Sequence, residues 1–375
     1  MAKAMYAFSG DPITFGHIDI IQRASLVFDH VIVGIGVNPQ KQYTFSLEER
    51  TRMAKQSLTH IPNVEVVSFS GLLVDYAYEN GVSVIVKGVR NGEDFNYENI
   101  LHQVGESQKL GIDTFILFAK PALGHVSSSA VKEIQKNHGF IHEYVPLFVK
   151  QQLEARLSGQ YIIGVTGQIG AGKSYISTIL TTLGQSIPVH NIELDHIGHQ
   201  ILGSLKEPAY QNLRQELAAQ FGSEIIDSNG FINRKTLGEI TFRDIHQLKK
   251  LNKMLYTPLT VRLRREFSDK KGLILINAAL LAETDMIHLC NNNIILIKTD
   301  DKTQRARLEQ RNLTPEQIKT RIASQYNDQQ KQLYIKTAIE REGHGRLWEI
   351  DNSNNTDTAS IQALLNRVMD YFGIV

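Results

Sequence analysis

Tyr161-Ile162-Ile163-Gly164-Val165-Thr166-Gly167-Gln168-Ile169-Gly170-Ala171-Gly172-Lys173-Ser174 sets an apolar run directly before a glycine-rich loop that ends in Lys-Ser. Every fixed position of the spacing G-x-x-x-x-G-K-[ST] is filled, and the residues after Ser174 read as a helix. The glycines let successive backbone N–H groups converge on phosphate oxygens, and the helix N-terminus adds a favourable dipole. In such a loop Lys173 reaches the β- and γ-phosphates of a nucleotide, and Ser174 ligates Mg²⁺. Strand, phosphate loop and helix in that order open a parallel α/β sheet.

Downstream, further strand-like runs lie at Pro188–Ile192, Leu273–Asn277, Ile294–Lys298 and Leu347–Ile350, with helical stretches between them. The run at Pro188–Ile192 ends in Glu193-Leu194-Asp195, which places Asp195 near the phosphates. A carboxylate there accepts a proton from an attacking hydroxyl or helps hold Mg²⁺. Arg305, Arg307 and Arg311 lie on or beside a helical stretch over Thr303–Gln310. Arg307 and Arg311, four apart, share the face that a lid over nucleotide phosphates needs.

Upstream, short apolar runs at Met5–Phe8, Val31–Val37, Val64–Phe69, Val82–Val86 and Thr114–Phe118 alternate with helical patterns at Ile18–Val27, Leu47–Leu58, Leu72–Asn80 and Tyr97–Leu110. That alternation predicts a second parallel sheet with helices on both faces. Ligands of such sheets bind beyond the carboxyl ends of the strands. Anion-binding residue types cluster at those places: Gly16-His17 at a helix start, Lys41 after the second strand, Lys87-Gly88-Val89-Arg90 after the fourth, and Ser127-Ser128-Ser129 before a helix. Between the halves, the polar stretch over 151–160 ends in Ser158-Gly159. Gly159 reads as a helix C-cap, which puts the domain boundary there, between 1–158 and 160–375.

The halves are nearly neutral: 14 Lys and Arg against 16 Asp and Glu over 1–158, and 26 against 23 in the remainder. No basic stripe points to nucleic acid. Hydrophobic residues at 42% and charged residues at 21% suit a packed globular chain rather than a disordered one. Cys290 is the only cysteine, so neither an intramolecular disulfide nor a Cys-rich metal site is possible. No run approaches the ~18 apolar residues that a membrane span requires, and the start, MAKAMYAFSGDP, lacks a secretory h-region. The expectation is a cytoplasmic protein with small-molecule substrates and no membrane or nucleic-acid partner.

From Tyr161 to about Tyr371 the chain resembles dephospho-coenzyme A kinase, on the phosphate loop, Asp195, Leu280-Leu281-Ala282-Glu283 and Gln310-Arg311. The resemblance implies a P-loop kinase sheet with a helical lid. It makes Asp195 the base for the ribose 3′-hydroxyl, gives Lys173 a catalytic role, and makes Gly167, Gln168, Ile169, Gly170, Ala171, Gly172, Lys173, Ser174, Tyr175, Arg307 and Arg311 ATP contacts. This chain has Glu193-Leu194-Asp195 where the family has Asp-x-Asp, Thr257-Pro258 for His-Pro, Ala279 for proline and Asn312 for aspartate.

Over almost all of 1–158 the chain resembles phosphopantetheine adenylyltransferase. The carrying residues are Asp11-Pro12-Ile13-Thr14, Gly16-His17-Ile18-Asp19, Thr44-Phe45-Ser46-Leu47-Glu48-Glu49-Arg50, Asn63-Val64-Glu65-Val66-Val67, Lys87-Gly88-Val89-Arg90, Asp94-Phe95-Asn96-Tyr97-Glu98 and Val126-Ser127-Ser128-Ser129. The implied fold is a Rossmann-like nucleotidylyltransferase sheet. The resemblance assigns transition-state stabilisation to His17 and Ser9, and substrate binding to Ser9, Lys41, Leu73 and Lys87. It assigns ATP to Gly16, His17, Gly88, Arg90, Glu98, Ser127, Ser128 and Ser129. Phe8-Ser9-Gly10 stands where the family has Gly-Thr-Phe, and Lys87 where arginine is common. Together the halves imply coenzyme A synthesis from ATP, 4′-phosphopantetheine and dephospho-coenzyme A with Mg²⁺, by a homo-oligomer that assembles, in that family, as a hexamer through the N-terminal half. The alternative is an active kinase whose first half serves oligomerisation or regulation.

Overall fold

The computed structural model describes residues 2–184, 187–242 and 244–374. The chain divides into two compact units, Met1–Leu157 and Ser158–Val375.

The first unit runs β1 (Lys3–Phe8), α1 (Phe15–Ser25), β2 (His30–Ile35), α2 (Leu47–Ser57), β3 (Val64–Ser68), α3 (Leu73–Glu79), β4 (Val84–Val89), α4 (Gly92–Glu106), β5 (Asp113–Phe118), α5 (Ser128–Lys136) and α6 (Leu147–Leu153). All five strands are parallel, in the order β3-β2-β1-β4-β5. Alternate residues face opposite ways along a strand, and both faces are packed. Ala4, Tyr6, Val31, Val33 and Val86 enter one cluster, whereas Met5, Ile32 and Ile85 enter another with Ala77 of α3. Chain order reverses between β1 and β4, so a ligand crevice opens beyond their carboxyl ends.

The fourth strand differs from its expected span. It runs through Val89 because Val84–Val89 pair residue by residue with Asp113–Phe118, so Lys87 and Gly88 lie in the strand and only Arg90 follows it. Likewise α4 starts at Gly92, five residues before the expected Tyr97, because the Asn91 side chain caps it by accepting from Asp94 N–H at 2.9 Å. No residue of α4 is buried. Tyr97, Ile100 and Val104 on it, and Phe115 and Phe118 of edge strand β5, are exposed.

The second unit runs β6 (Gln160–Thr166), α7 (Lys173–Leu183), β7 (Val189–Glu193), α8 (Leu194–Gly203), α9 (Pro208–Phe221), α10 (Arg234–Thr241), α11 (Ile245–Phe267), β8 (Gly272–Asn277), β9 (Asn293–Lys298), α12 (Asp301–Glu309), α13 (Pro315–Ala323), α14 (Asp328–Glu342), β10 (Arg346–Asp351) and α15 (Thr358–Phe372). Its five strands are parallel in the order β10-β9-β6-β8-β7. Every residue of β8 is buried, as are the first five of β9. That is why these strands read as unbroken apolar runs rather than alternating ones. Gly159, at φ +64°, takes the left-handed conformation just ahead of β6.

Candidate active sites

In the first unit, Ser9 and Gly10 leave β1, and Gly10 turns the chain with φ +62°. Asp11 then acts as a buried hub. Its carboxylate accepts from Thr44 N–H and Phe45 N–H, both at 3.0 Å, and from Lys132 Nζ at 2.6 Å. The loop that carries Lys41 is thereby tied to β1 and α5. Arg50, fully buried on α2, donates to the Ser9 carbonyl and to the Gly36 carbonyl (2.9 Å), with its guanidinium 4.0 Å from the Tyr43 ring centroid. Lys41 Nζ lies 3.4 Å from Ser9 Oγ, so two of the residues that the resemblance assigned to substrate binding meet.

His17 is the third residue of α1. Its Nδ1 accepts from Thr14 N–H at 3.0 Å and lies 2.9 Å from Thr14 Oγ1. A ring nitrogen that accepts from a backbone amide is unprotonated, so the proton of the neutral imidazole sits on Nε2. The Phe8 ring stacks on it at 4.4 Å between centroids. Burial, with Arg90 and Lys41 adding to it, lowers the His17 pKa to about 4. At neutral pH it is therefore an uncharged donor. The Ser127–Ser129 run opens α5: Ser127 caps the helix by accepting from Ala130 N–H, and Ser128 Oγ donates to the Pro12 carbonyl at 2.8 Å. A Cβ on Gly16 would lie 3.6 Å from the Val126 carbonyl, so the starts of α1 and α5 face each other.

Beside this crevice Lys87 pairs with Glu98 of α4 at 2.7 Å, and Arg90 holds Asp94 through two bonds of 2.7 and 3.0 Å. Gly88 lets α1 approach: a Cβ there would sit 3.0 Å from Ile20 Cγ1. Leu73, at the start of α3, packs on the cluster formed by Met5 and Ile32. No bond joins it to Ser9 or Lys41. Sequence reading did not single out Asp11 or Arg50 for a role, although both stand in the stretches quoted above. A carboxylate and an arginine in a loop and a helix start give no signal of burial by themselves.

In the second unit, Gly167, Gly170 and Gly172 all have positive φ, between +82° and +154°. Lys173 folds back onto the Gly167 and Gln168 carbonyls at 3.1 and 3.2 Å. Burial lowers its pKa to about 8. Asp195 and, more weakly, Glu283 oppose that shift, while Lys331 and Arg311 add to it. Asp195 sits in the first turn of α8 at the solvent edge of the site. Atoms packed around its carboxyl raise its pKa, and Lys173 and His199 pull it back.

Arg307 is not a free lid arginine. It donates to the Gly170 and Ala171 carbonyls (3.3 Å), to the Asn352 carbonyl (2.7 Å) and to Asn355 Oδ1 (2.8 Å). Tyr175 is exposed on α7 and reaches the Thr356 carbonyl at 3.4 Å. Gln304, Gln325 and Asn352, which bond the loop, Asn355, which holds Arg307, and Lys331, which bonds the Ala279 carbonyl, were not singled out from sequence. Polar residues scattered over 50 positions carry no local pattern. Among the described residues, no cluster of three or more His, Cys, Asp or Glu forms a metal cage, and no helix is long and apolar enough to cross a membrane.

Two parallel sheets, each with anion-binding groups gathered at the carboxyl ends of its strands, define a protein with two nucleotide-handling α/β units. Residues 9–134 match the cytidylyltransferase-like family model, and residues 161–345 match the model for dephospho-CoA kinase. A phosphopantetheine adenylyltransferase from Caldanaerobacter subterraneus subsp. tengcongensis is 43% identical over 153 residues, which cover 41% of this chain and 96% of that protein. The chain thus belongs to the phosphopantetheine adenylyltransferase family, with a dephospho-CoA kinase-like unit joined to it. Solved structures similar to it include TT1252 from Thermus thermophilus (22% identity, 56% of this chain and 97% of that one, TM-score 0.42). Another is a dephospho-CoA kinase from Campylobacter jejuni (22% identity, 57% and 97%, TM-score 0.32).

Proposed function

We propose that this single chain catalyses two consecutive steps of coenzyme A formation. Residues 1–158 transfer AMP from ATP to 4′-phosphopantetheine, releasing pyrophosphate and giving dephospho-coenzyme A. Residues 160–375 then transfer the γ-phosphoryl group of a second ATP to the ribose 3′-hydroxyl of that product. The observation that carries this reading is the presence, in one chain and in reaction order, of two family matches, each on its own compact unit.

In the first step a substrate phosphate oxygen attacks the α-phosphorus of ATP, and the P–O bond to pyrophosphate breaks. No side-chain nucleophile is needed, so the protein aligns the groups and stabilises charge on the pentacoordinate phosphorus. The neutral His17 donates from Nε2 to that charge. Lys41 and Ser9 hold the incoming phosphate, Lys87 assists them, and Leu73 lies against the pantetheine arm. Gly16, Gly88, Arg90, Glu98 and the Ser127–Ser129 run hold ATP.

In the second step Asp195 takes the proton of the 3′-hydroxyl, and its raised pKa suits a base. Lys173 leaves the two loop carbonyls for the β- and γ-phosphates, and Arg307 of α12 leaves its carbonyl and asparagine acceptors to contact ATP together with Arg311, two residues beyond that helix. Mg²⁺ fits this site. It takes few protein ligands and mainly phosphate and water oxygens, which agrees with a single hydroxyl, Ser174, at the helix start. When bound it neutralises charge on the transferring phosphates.

The exposed apolar residues of α4 and β5 support assembly of a homo-oligomer, a hexamer in the form proposed from sequence, through the first unit. The lone cysteine supports a cytoplasmic setting.

A coupled assay with 4′-phosphopantetheine, ATP and Mg²⁺ that follows pyrophosphate and coenzyme A separately tests the reading. Wild type should form both. H17A should lose pyrophosphate release, and K173A should stop at dephospho-coenzyme A. Phosphorylation of supplied dephospho-coenzyme A without any pyrophosphate from 4′-phosphopantetheine would leave only the kinase.

A further inference from the structure

Lys331 of α14 is fully buried, and nothing in the transfer described above uses it. A buried ammonium persists only where acceptors satisfy it. Its Nζ donates to the Ala279 carbonyl at 2.7 Å and to Glu283 Oε1 at 2.6 Å. Both acceptors lie on the segment that follows β8. The Ala279 carbonyl also accepts from Thr166 Oγ1 (3.2 Å), at the last residue of β6 and immediately before the phosphate loop. Glu283 Oε1 also accepts from Tyr326 N–H at 2.8 Å.

The neighbouring residue, Gln325, accepts from Ile169 N–H of the phosphate loop at 3.0 Å, while Gln304 of α12 donates to the Ile169 carbonyl at 2.8 Å. Both backbone groups of Ile169 are thus held by side chains from the segment α12 to α14. These contacts form one circuit: phosphate loop, Gln325, Glu283, Lys331, the Ala279 carbonyl, and the strand end that leads back into the loop. Glu283 Oε2 is buried and makes no hydrogen bond among the described residues. The charges of both Glu283 and Lys331 act on Lys173.

We infer that Lys331 and Glu283 are a positioning pair for phosphoryl transfer, locking the lid's trailing end to the phosphate loop so that Lys173 and the loop amides are aligned when ATP binds. Neither touches substrate, and the inference rests on the kinase reading of the second unit. The pair costs desolvation, and replacing both partners of such a buried pair by uncharged residues is often neutral for stability. Positioning and mere packing are therefore separable.

The test uses the full chain with supplied dephospho-coenzyme A, ATP and Mg²⁺, measuring kcat, KM and thermal melting for K331M, E283Q/K331M and Q325A. Misplacement of a site by a fraction of an ångström to one ångström costs up to ~10²-fold. The double variant should accordingly melt near wild type yet lose about ten- to hundredfold in kcat, with little change in KM for dephospho-coenzyme A. Q325A, which leaves no charge unpaired, should show the same split at a smaller size, and pyrophosphate release by the first unit should be untouched in all three. Wild-type kcat in the folded double variant or, if that variant does not fold, in Q325A overturns the inference. So does a rate loss that merely tracks the folded fraction. If wild type itself fails to phosphorylate dephospho-coenzyme A, the kinase reading falls and takes the inference with it.

Discussion

The two units solve phosphate handling with different materials. In the proposed function the first relies on charged and polar side chains from several elements, held by other groups: the loop after Lys41 by Asp11, Lys87 by Glu98, Arg90 by Asp94. The second would rely on backbone amides in one contiguous loop, with glycines at positive φ and a lysine parked on its carbonyls. A site of side chains depends on every element that delivers one. A backbone loop depends on local geometry and on whatever holds the loop still.

Breaking each site at its centre gives the largest effects. K173A removes the one flexible cation from the loop and should lower the second reaction by about 10³ while pyrophosphate release is unchanged. H17A removes one donor and should lower the first reaction by about 10² with the second intact. Steady-state rates for each step, measured with the other step's substrate withheld, check both. A variant that slowed both steps equally would break the comparison.

D11A sharpens it. The variant leaves a buried amide, a half-buried one and Lys132 without their acceptor, at a cost of about 1–3 kcal/mol in denaturant melts. With the Lys41 loop loosened, KM for 4′-phosphopantetheine should rise about tenfold. The folded-state pKa of His17, about 4, lies below its ordinary 6.5. Between those values the unfolded chain takes up a proton that the native chain refuses, so stability should fall as pH drops from 6.5 toward 4 and be unaffected by His17 above 6.5. Melting against pH for wild type and H17Q checks this, and equal slopes would contradict it. The smallest effect belongs to S46A. It removes the hydroxyl half of the reciprocal cap of α2, in which Ser46 Oγ accepts from Glu49 N–H and Glu49 Oε2 from the backbone N–H of residue 46. The loss should be about 1 kcal/mol with both activities intact.

Legibility followed the same division. The loop over Gly167–Ser174 was readable because all its phosphate-binding groups are consecutive, and its strand and helix flank it in the chain. In the first unit, Ser9 and Lys41, read from two strand ends, lie within 3.4 Å of each other, and the helix start at Gly16 faces the residue before the Ser127 run. Their partners were not readable: Asp11 and Lys132 lie 121 residues apart, and Arg50 belongs to a helix start that reads as ordinary surface. The fourth strand's true end was also hidden, since its length comes from pairing with β5 rather than from its own residues. Arg307 lay beside the phosphate loop as expected, but it is already committed to loop and asparagine acceptors.

The sequence by itself determined two parallel α/β units, a phosphate loop, and the residue types at each strand end, because hydrophobic periodicity and glycine placement are local properties of the chain. Only the tertiary structure decided which charges pair, which lysine is buried, and which proton His17 keeps. Those depend on distances between elements far apart in sequence and on the loss of water around them, and neither is encoded in any short stretch.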